Sequence, residues 1–261
     1  MINTLYNDDC LNVIGIMEEN LIDLTCTSVP YNVNLGDNKH NKNKYSQYDD
    51  NKEHIDYLNW LQTIFSAIYA KTKTGGRCVI NIGSGKNGRI PTQVDIVNFM
   101  RDIGWLVYTD IIWNKNQVGN RTSWGSWLSP SSPQFPHPYE HILVFCKDDY
   151  KLQHKGETDL TKEEFIEWAY GIWKFAPETK MNKLYNHPAM FPEALPLRCI
   201  KMFTYIGDLV FDPFSGIGTT SIVAKKLNRN YIGAEISQQY HESALLRLSE
   251  LNEKQKQQTL F

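Results

Sequence analysis

Short apolar runs alternate with amphipathic segments along most of the chain, and this alternation restricts the possible folds more than any other feature. The apolar runs are rich in β-branched and aromatic residues and predict strands over residues 21–26, 77–82, 106–113, 141–146, 208–212 and 231–235. Helical spacing of apolar residues predicts helices over 55–68, 94–103, from 216 onward and over 237–251. The sequence therefore predicts one α/β domain over residues 1–261, with a parallel or mostly parallel sheet covered by helices on both faces.

Two regions interrupt this alternation and are predicted to be insertions. Residues 32–50 form a long polar loop, and residues 114–138 are rich in Pro, Ser and Trp without periodicity. Within or beside them, the stretches at 37–52 and 114–121 are basic and rich in Asn and Gln. Such stretches suit contacts with phosphates and base edges, although a solvated surface loop explains either one equally well.

Composition excludes several classes of protein. Five cysteines without CxxC spacing argue against a disulfide framework and a zinc site, so no metal is predicted and a reducing cytoplasm is expected. The N-terminus lacks an export signal, and no apolar run approaches the roughly 20 residues of a transmembrane helix. With 27 basic and 29 acidic residues, net charge gives no indication of a polyanionic partner.

The stretch "FDPFSGIGTT" at 211–220 follows an apolar run and precedes a predicted helix. Gly216 and Gly218 allow a tight turn beside the free N–H groups of a helix N-terminus, and Glu235 ends the next strand, where a carboxylate can bind ribose hydroxyls. Asp212 and Phe214 stand where a pyrophosphate loop needs small residues. The pattern predicts a pocket for a cationic, phosphate-free nucleoside; the alternative is an ordinary strand-to-helix turn.

A second glycine-rich stretch, "GSGKNG" at 83–88, matches the GxGxxG pattern of dinucleotide-binding proteins. A nicotinamide enzyme also needs an acid at the end of the next strand, but Asp102 precedes that strand and Asp110 lies within it. We interpret the stretch as a loop flanking the site, and a dinucleotide oxidoreductase as a distant alternative.

The stretch "TSVPY" at 27–31, taken together with "FDPFSGIGTT", resembles the paired signatures of S-adenosylmethionine-dependent DNA amino-methyltransferases. Further segments resemble the same family in order: "NDDCLNVI", "GGRCVINIG", "DIIWNKN", "HPYEHILVFCK" and "HPAMFPEALPLRCIKMFTYIGD". Because the catalytic segment precedes the cofactor segment, the chain resembles the β arrangement of the family. The resemblance implies a circularly permuted, Rossmann-like methyltransferase sheet with inserted DNA-recognition loops.

The tetrapeptide at 28–31 carries the chemistry that the resemblance implies. The Ser28 hydroxyl and the backbone carbonyl near Val29 and Pro30 would accept the hydrogens of an exocyclic amine, while Tyr31 would stack on a base rotated out of the duplex. Ser in the first place resembles cytosine-N4 enzymes, whereas Asp there resembles adenine-N6 enzymes, which remain the alternative. Val29 replaces the usual second proline and is expected to loosen the turn. No cysteine follows a proline, which argues against methylation at ring carbon 5.

The resemblance also assigns residues to the cofactor, S-adenosyl-L-methionine. Glu235 would bind the ribose, Asp9 would meet the adenine amino group, and the turn after residue 211 would surround the methionine part. The full predicted set is Asp9, Cys10, His187, Phe191, Pro192, Asp212, Pro213, Phe214, Ser215, Gly216, Gly218, Thr219 and Glu235. A helix cap or a surface position is an equal alternative for His187.

Partners are also predicted from the resemblance. Double-stranded DNA is the expected substrate, with a cognate restriction endonuclease and a homodimer as further expectations. Residues 114–138 and 147–185 are the candidate target-recognition insertions, and the first offers Lys115, Asn116, Gln117 and Arg121 for groove contacts. Trp124 and Trp127 are expected to anchor a loop by packing. A DNA-binding module that holds the cofactor without turnover is the non-enzymatic alternative.

Overall fold

The computed structural model describes residues 1–32, 50–85, 88–116, 125–135, 137–179, 184–185 and 190–259. The strands are β1 (Thr4–Tyr6), β2 (Ile22–Ser28), β3 (Thr72–Ile82), β4 (Leu106–Asn114), β5 (Tyr139–Cys146), β6 (Ile172–Lys174), β7 (Leu209–Asp212) and β8 (Asn230–Ala234). The helices are α1 (Cys10–Gly15), α2 (His54–Lys71), α3 (Thr92–Ile103), α4 (Lys162–Trp168), α5 (Ala194–Phe203), α6 (Thr219–Lys226) and α7 (Gln238–Thr259).

The strands form one eight-stranded sheet in the order β1-β8-β7-β2-β3-β5-β4-β6. Every described pairing is parallel except those of β5, which runs antiparallel to both β3 and β4. The predicted mostly parallel sheet is thereby confirmed. Strand β5 follows β4 along the chain and pairs with it directly, so the chain direction reverses between the two strands.

Helices cover both faces of the sheet, as predicted. Helices α1, α2 and α3 pack over one face, and α4 to α7 pack over the other. Strand β2 contributes to both cores: Ile22 joins the first, and Leu24 and Cys26 join the second, with a register irregularity between Ile22 and Leu24. Burial extends to the polar residues of the strand, since Asp23, Thr25 and Thr27 are each at most 1% exposed.

All six predicted strands are present, but β1 and β6 were not predicted. Each has three residues, too few for a period of two to be recognised. Their positions depend on partners far along the chain, β8 for β1 and β4 for β6. Helix α4 was also missed, although its capping box of Thr161 and Glu164 is a signal that sequence reading can use.

The placement of β2 beside β7 determines where the two signature stretches meet. The strands are parallel neighbours, with Leu24 opposite Val210 and Thr25 opposite Phe211. Their carboxyl ends therefore lie at the same edge of the sheet, which is where open α/β sheets bind ligands. Within the described chain, the helices are all too short or too polar to cross a bilayer.

The turn after β7 depends on close backbone packing, which gives a first prediction. Gly218 has φ +77°, and a Cβ there would lie 2.9 Å from the Ala244 Cβ, whereas Gly207 has φ +87° with nothing within 4 Å. We expect Gly207→Ala to lower the free energy of unfolding by about 1 kcal/mol, the cost of left-handed backbone alone. Gly218→Ala should cost about 1–3 kcal/mol more because α7 must also move.

Urea denaturation followed by circular dichroism measures both variants. If the two substitutions lowered the free energy of unfolding by the same amount, the contact between the turn and α7 would not be tight.

Candidate active site

A deep cavity opens at the carboxyl edge of β2, β7 and β8. It encloses about 1000 Å³ of empty space including its mouth. The cavity is bounded by five chain segments, 8–10, 28–31, 190–191, 213–219 and 234–236, and by side chains from α2 and α7. Its lining residues are Asp8, Asp9, Cys10, Ser28, Val29, Pro30, Tyr31, Trp60, Met190, Phe191, Pro213, Phe214, Ser215, Gly216, Ile217, Thr219, Ala234, Glu235, Ile236 and Tyr240.

Most residues predicted to bind the cofactor or the target base line this one cavity. The structure brings together Ser28 to Tyr31 from the end of β2 with Gly216 and Glu235 from the other side of the predicted site. Asp212, Gly218 and Pro192 were predicted too but lie outside its lining. His187, Gln117 and Arg121 lie outside the described residues.

Several lining residues were not predicted: Asp8, Trp60, Met190, Ile217, Ala234, Ile236 and Tyr240. Trp60 comes from the middle of α2, and its helical position gave no indication of a ligand. Ile236 carried a signal that could have been used, because it is an apolar residue directly after the acid predicted to end a strand. In the structure it is half exposed.

Glu235 is held by backbone donors on both of its oxygens. Its Oε2 accepts from the Gly216 N–H at 2.8 Å, and its Oε1 accepts from the Ser237 N–H at 2.8 Å. Burial raises the pKa of this carboxyl. Each oxygen retains a further lone pair, so the carboxylate can still accept hydrogen bonds from a pair of neighbouring hydroxyls in the cavity.

The cavity wall beside this acid is aromatic. The rings of Trp60 and Phe214 lie 5.5 Å apart at an interplanar angle of 43°, and the ring of Tyr57 lies 6.3 Å from that of Trp60. An apolar wall next to a carboxylate with free lone pairs matches the two halves of a nucleoside, a flat base and a ribose. The residues present therefore fit the predicted nucleoside cofactor.

Asp212 lies directly behind this wall and is 1% exposed. Its Oδ1 accepts from Thr27 Oγ1 at 2.6 Å and from the Phe214 N–H at 3.1 Å. Burial raises the pKa of this carboxyl from 3.8 to about 6, against the opposing effect of these donors. Asp212 thus links β2 to the glycine turn and supports the cavity from beneath.

Asp9 and Cys10 enter the cavity from the start of α1. Asp9 is the N-cap of that helix, since its Oδ1 accepts from the Leu11 N–H at 2.8 Å. Its second oxygen can face a ligand. Burial raises the pKa of the Cys10 thiol to about 12, which keeps the thiol protonated and unreactive near neutral pH.

The Tyr31 hydroxyl donates to Glu140 Oε2 at 2.9 Å, which ties Tyr31 to β5. Lys115, predicted as a DNA contact, forms an ion pair with the same Glu140. Asn116 is exposed beside it, and its backbone N–H donates to Asn114 Oδ1 at 2.9 Å. These contacts place the start of the 114–138 segment next to the tetrapeptide at 28–31.

Two other candidate sites lie elsewhere. The described residues of the "GSGKNG" stretch close a tight loop, with Gly85 and Ile90 paired by backbone hydrogen bonds, and none of them lines the cavity. Asp23, His154 and Asp208 form a cluster with the spacing of metal ligands. The Lys73 ammonium contacts both oxygens of Asp23, at 2.7 and 2.8 Å, and supplies the positive charge there.

Known proteins match this chain over most of its length. A family model described as DNA methylase matches residues 22–246. The chain is 41% identical over 186 residues to the Type II methyltransferase M.MjaVI of Methanocaldococcus jannaschii, covering 70% of this chain and 91% of that protein. It is 28% identical over 267 residues to the Type II methyltransferase M.BglII of Bacillus subtilis, covering 95% and 69% of the two chains.

Solved structures give the same result for the fold. A protein of Thermus thermophilus described as a DNA modification methylase, complexed with S-adenosyl-L-methionine, superimposes with a TM-score of 0.74 at 26% identity, covering 95% of this chain and 93% of that one. The cytosine-N4-specific PvuII DNA methyltransferase gives a TM-score of 0.70 at 20% identity, over 95% and 86% of the two chains.

The raised pKa of Asp212 gives a prediction about stability. A buried carboxyl with a folded pKa of about 6 binds protons more tightly in the folded state, so its contribution to stability falls as pH rises from about 4 to 6. Asp212→Asn removes this ionisation and keeps an acceptor for Thr27. We expect the stability of the variant relative to wild type to rise by about 2 kcal/mol between pH 4.5 and pH 8.

Chemical denaturation at the two pH values measures this difference. Asp102→Asn, which removes an exposed carboxyl on α3, is the control and should show no comparable change. A relative stability of Asp212→Asn that is the same at both pH values would contradict the assignment of a raised pKa.

Proposed function

The chain belongs to the DNA methylase family that comprises N6 and N4 amino-methyltransferases, and from this premise we propose that it methylates the exocyclic N4 of cytosine in a short site of duplex DNA. The family establishes an S-adenosylmethionine-dependent DNA methyltransferase of the β arrangement. The observation that carries the choice of base is the serine at position 28, which lines the same cavity as Gly216 and Glu235.

The cofactor side of the cavity has the hydrogen-bond acceptors and the aromatic wall that its ligand needs. Bound S-adenosylmethionine supplies an activated methyl group. Glu235 accepts from the ribose hydroxyls with the lone pairs that Gly216 and Ser237 leave free. The aromatic pair of Trp60 and Phe214 offers a face to the adenine, and the carboxylate of Asp9 is positioned at the start of α1 to receive its amino group.

On the substrate side, the chain must activate a weak nucleophile. The lone pair of a base amine is conjugated with its ring, and it becomes available when both N–H groups are held by acceptors that turn the amine out of the ring plane. The Ser28 hydroxyl and the backbone carbonyl at Val29 and Pro30 are those acceptors. Because the reaction then depends on alignment, the chain needs no covalent nucleophile, which agrees with the protonated state of Cys10.

Reaching this cavity requires the target base to leave the duplex. The cavity lies below the edge of the sheet, and a base within the stack cannot contact Ser28, so we propose that the base is flipped out and stacks on Tyr31. Residues 114–138 and 147–185 are proposed to read the DNA. Lys115 and Asn116, the first two residues after β4, lie at the start of the first of these segments.

Further partners are proposed from the relatives. Two relatives are named Type II methyltransferases. By analogy with them, we propose that this chain has a cognate restriction endonuclease that cleaves the same site. A homodimer is proposed as well. Adenine-N6 methylation is the second candidate function, since the family includes enzymes of both kinds. A module that binds DNA and cofactor without transfer is the third.

The identity of the methylated base is the central prediction. We expect heterologous DNA modified by this protein to contain N4-methylcytosine, detected by mass spectrometry of nucleosides, and sequencing of modified bases to map a single short site. Ser28→Ala should lower the rate of methyl transfer by a factor of about 100, because one acceptor of the amine is lost. Ser66→Ala, an exposed serine on α2, should match wild type.

N6-methyladenine in the same nucleoside analysis would overturn the proposed base and leave the enzyme class intact. Binding of the cofactor without any transfer to DNA would support the non-catalytic module instead.

The role of Glu235 gives a separate prediction about cofactor affinity. In Glu235→Gln, one carboxylate oxygen becomes an NH2 group that faces the backbone N–H of Gly216 or Ser237 as a second donor. We expect the Kd for S-adenosylmethionine, measured by calorimetry, to rise about 10-fold or more. Glu242→Gln, an exposed change on α7, should leave it unaltered.

A Kd within twofold of wild type in Glu235→Gln would show that this carboxylate does not bind the cofactor. The melting temperature without ligand must be measured alongside, because a loss of folding would also weaken binding.

A further inference from the structure

Glu140 is a buried carboxylate that none of the roles above uses. It lies in the second position of β5 and is 8% exposed. The sequence stretch around it, "HPYEHILVFCK", marks the family resemblance but was assigned no role. Its partners come from three other elements: the tetrapeptide after β2, the end of β3, and the first residue after β4.

The contacts of Glu140 form a closed polar cluster. Glu140 Oε2 accepts from the Tyr31 hydroxyl at 2.9 Å and from Asn81 Nδ2 at 2.7 Å. Asn81 Nδ2 also lies 3.1 Å from the Tyr31 hydroxyl oxygen and can donate to it. The three groups thus make a triangle in which the tyrosine hydroxyl both donates and accepts. We call Tyr31, Asn81, Glu140 and Lys115 the tyrosine anchor.

Charge within the tyrosine anchor is balanced. Glu140 Oε1 pairs with the Lys115 ammonium, which also lies 5.0 Å from the centre of the Trp113 ring. A carboxylate this deeply buried is tolerated when it is paired and hydrogen-bonded. Lys115 therefore compensates the charge of Glu140.

Anchoring at the hydroxyl has a consequence for the ring of Tyr31. A tyrosine side chain has two rotatable bonds, and fixing its far end at Glu140 and Asn81 defines both, so the ring is oriented before any substrate arrives. A stacking surface held in place loses less conformational entropy when the base enters. It also sets the plane of the base, and hence the direction in which its amine points at Ser28.

We propose that Glu140 is a positioning residue: through the Tyr31 hydroxyl it presets the tyrosine ring that receives the extruded base. The inference rests on the proposed function, because it assigns the support of the base-binding half of that site. Asn81 completes the support from β3, where it pairs in register with Ser28 of β2. The carboxylate acts on the base only through Tyr31.

A double-mutant cycle on Tyr31→Phe and Glu140→Gln tests this. Tyr31→Phe keeps the ring and removes the anchored hydroxyl; we expect kcat on the mapped DNA site to fall about 10-fold, the effect of losing one hydrogen bond to a charged group. Glu140→Gln should lower kcat to a similar extent. The double variant should be no slower than the slower single variant, since both act through the same contact.

Two further measurements separate positioning from a general structural effect. The Kd for S-adenosylmethionine should be unchanged in all three variants, because the tyrosine anchor does not contact the cofactor side. Asp23→Asn, which removes another buried carboxylate paired with a lysine, should lower the melting temperature without changing kcat. Its location at the amino end of β2, away from the cavity, makes it the matched control.

Effects on kcat that multiply in the double variant, or a wild-type kcat in Tyr31→Phe, would overturn the proposal. Tyr31→Phe decides the question alone if Glu140→Gln does not fold. Absence of methyl transfer by the wild-type protein would count against the proposed function and not against the anchor. Transfer to adenine in place of cytosine leaves the cycle fully interpretable.

Discussion

A hydrogen bond of 2.6 Å from Thr27 Oγ1 to Asp212 Oδ1 joins two strands whose residues lie 185 positions apart. The relative position of the tetrapeptide at 28–31 and the glycine turn depends on that contact and on the parallel pairing of β2 with β7. The pairing brings the carboxyl ends of both strands to one edge, so the tetrapeptide and the glycine turn face each other. The chain can carry them in either order along the sequence, because only their adjacency in the sheet matters.

The electrostatics of the cavity suit one kind of ligand. Burial raises the pKa of both Asp212 and Glu235, and the proximity of Asp212 contributes to the rise at Glu235. Two desolvated carboxyls near one cavity are costly when ionised, and a bound cation reduces that cost. A ligand with phosphates would increase it. For this reason a glycine turn that begins with Asp212 suits a sulfonium nucleoside. A loop that binds pyrophosphate instead carries small, uncharged residues at these positions.

Sequence reading succeeded where a function depends on local chain geometry and failed where it depends on tertiary contacts. The glycine turn, Glu235 and the tetrapeptide were recognisable because each requires a special residue at a fixed offset from a strand end. Trp60 and Tyr240 line the same cavity from helices, where spacing marks them only as members of an amphipathic surface. The tyrosine anchor was equally hidden, since Asn81 and Glu140 lie within apolar strands and meet through the antiparallel pairing of β3 with β5.

Val29 shows how packing can replace a local constraint. The sequence predicted a looser turn here because valine stands in place of a second proline, which would fix φ. In the structure Val29 is 2% exposed and belongs to the core cluster below α2. A buried β-branched side chain has one preferred rotamer and cannot move without opening a cavity, so the core holds the backbone that proline would otherwise stiffen. In the proposed mechanism, the acceptors at Ser28 and Pro30 would be held from below by Val29 and from the side by the ring of Tyr31.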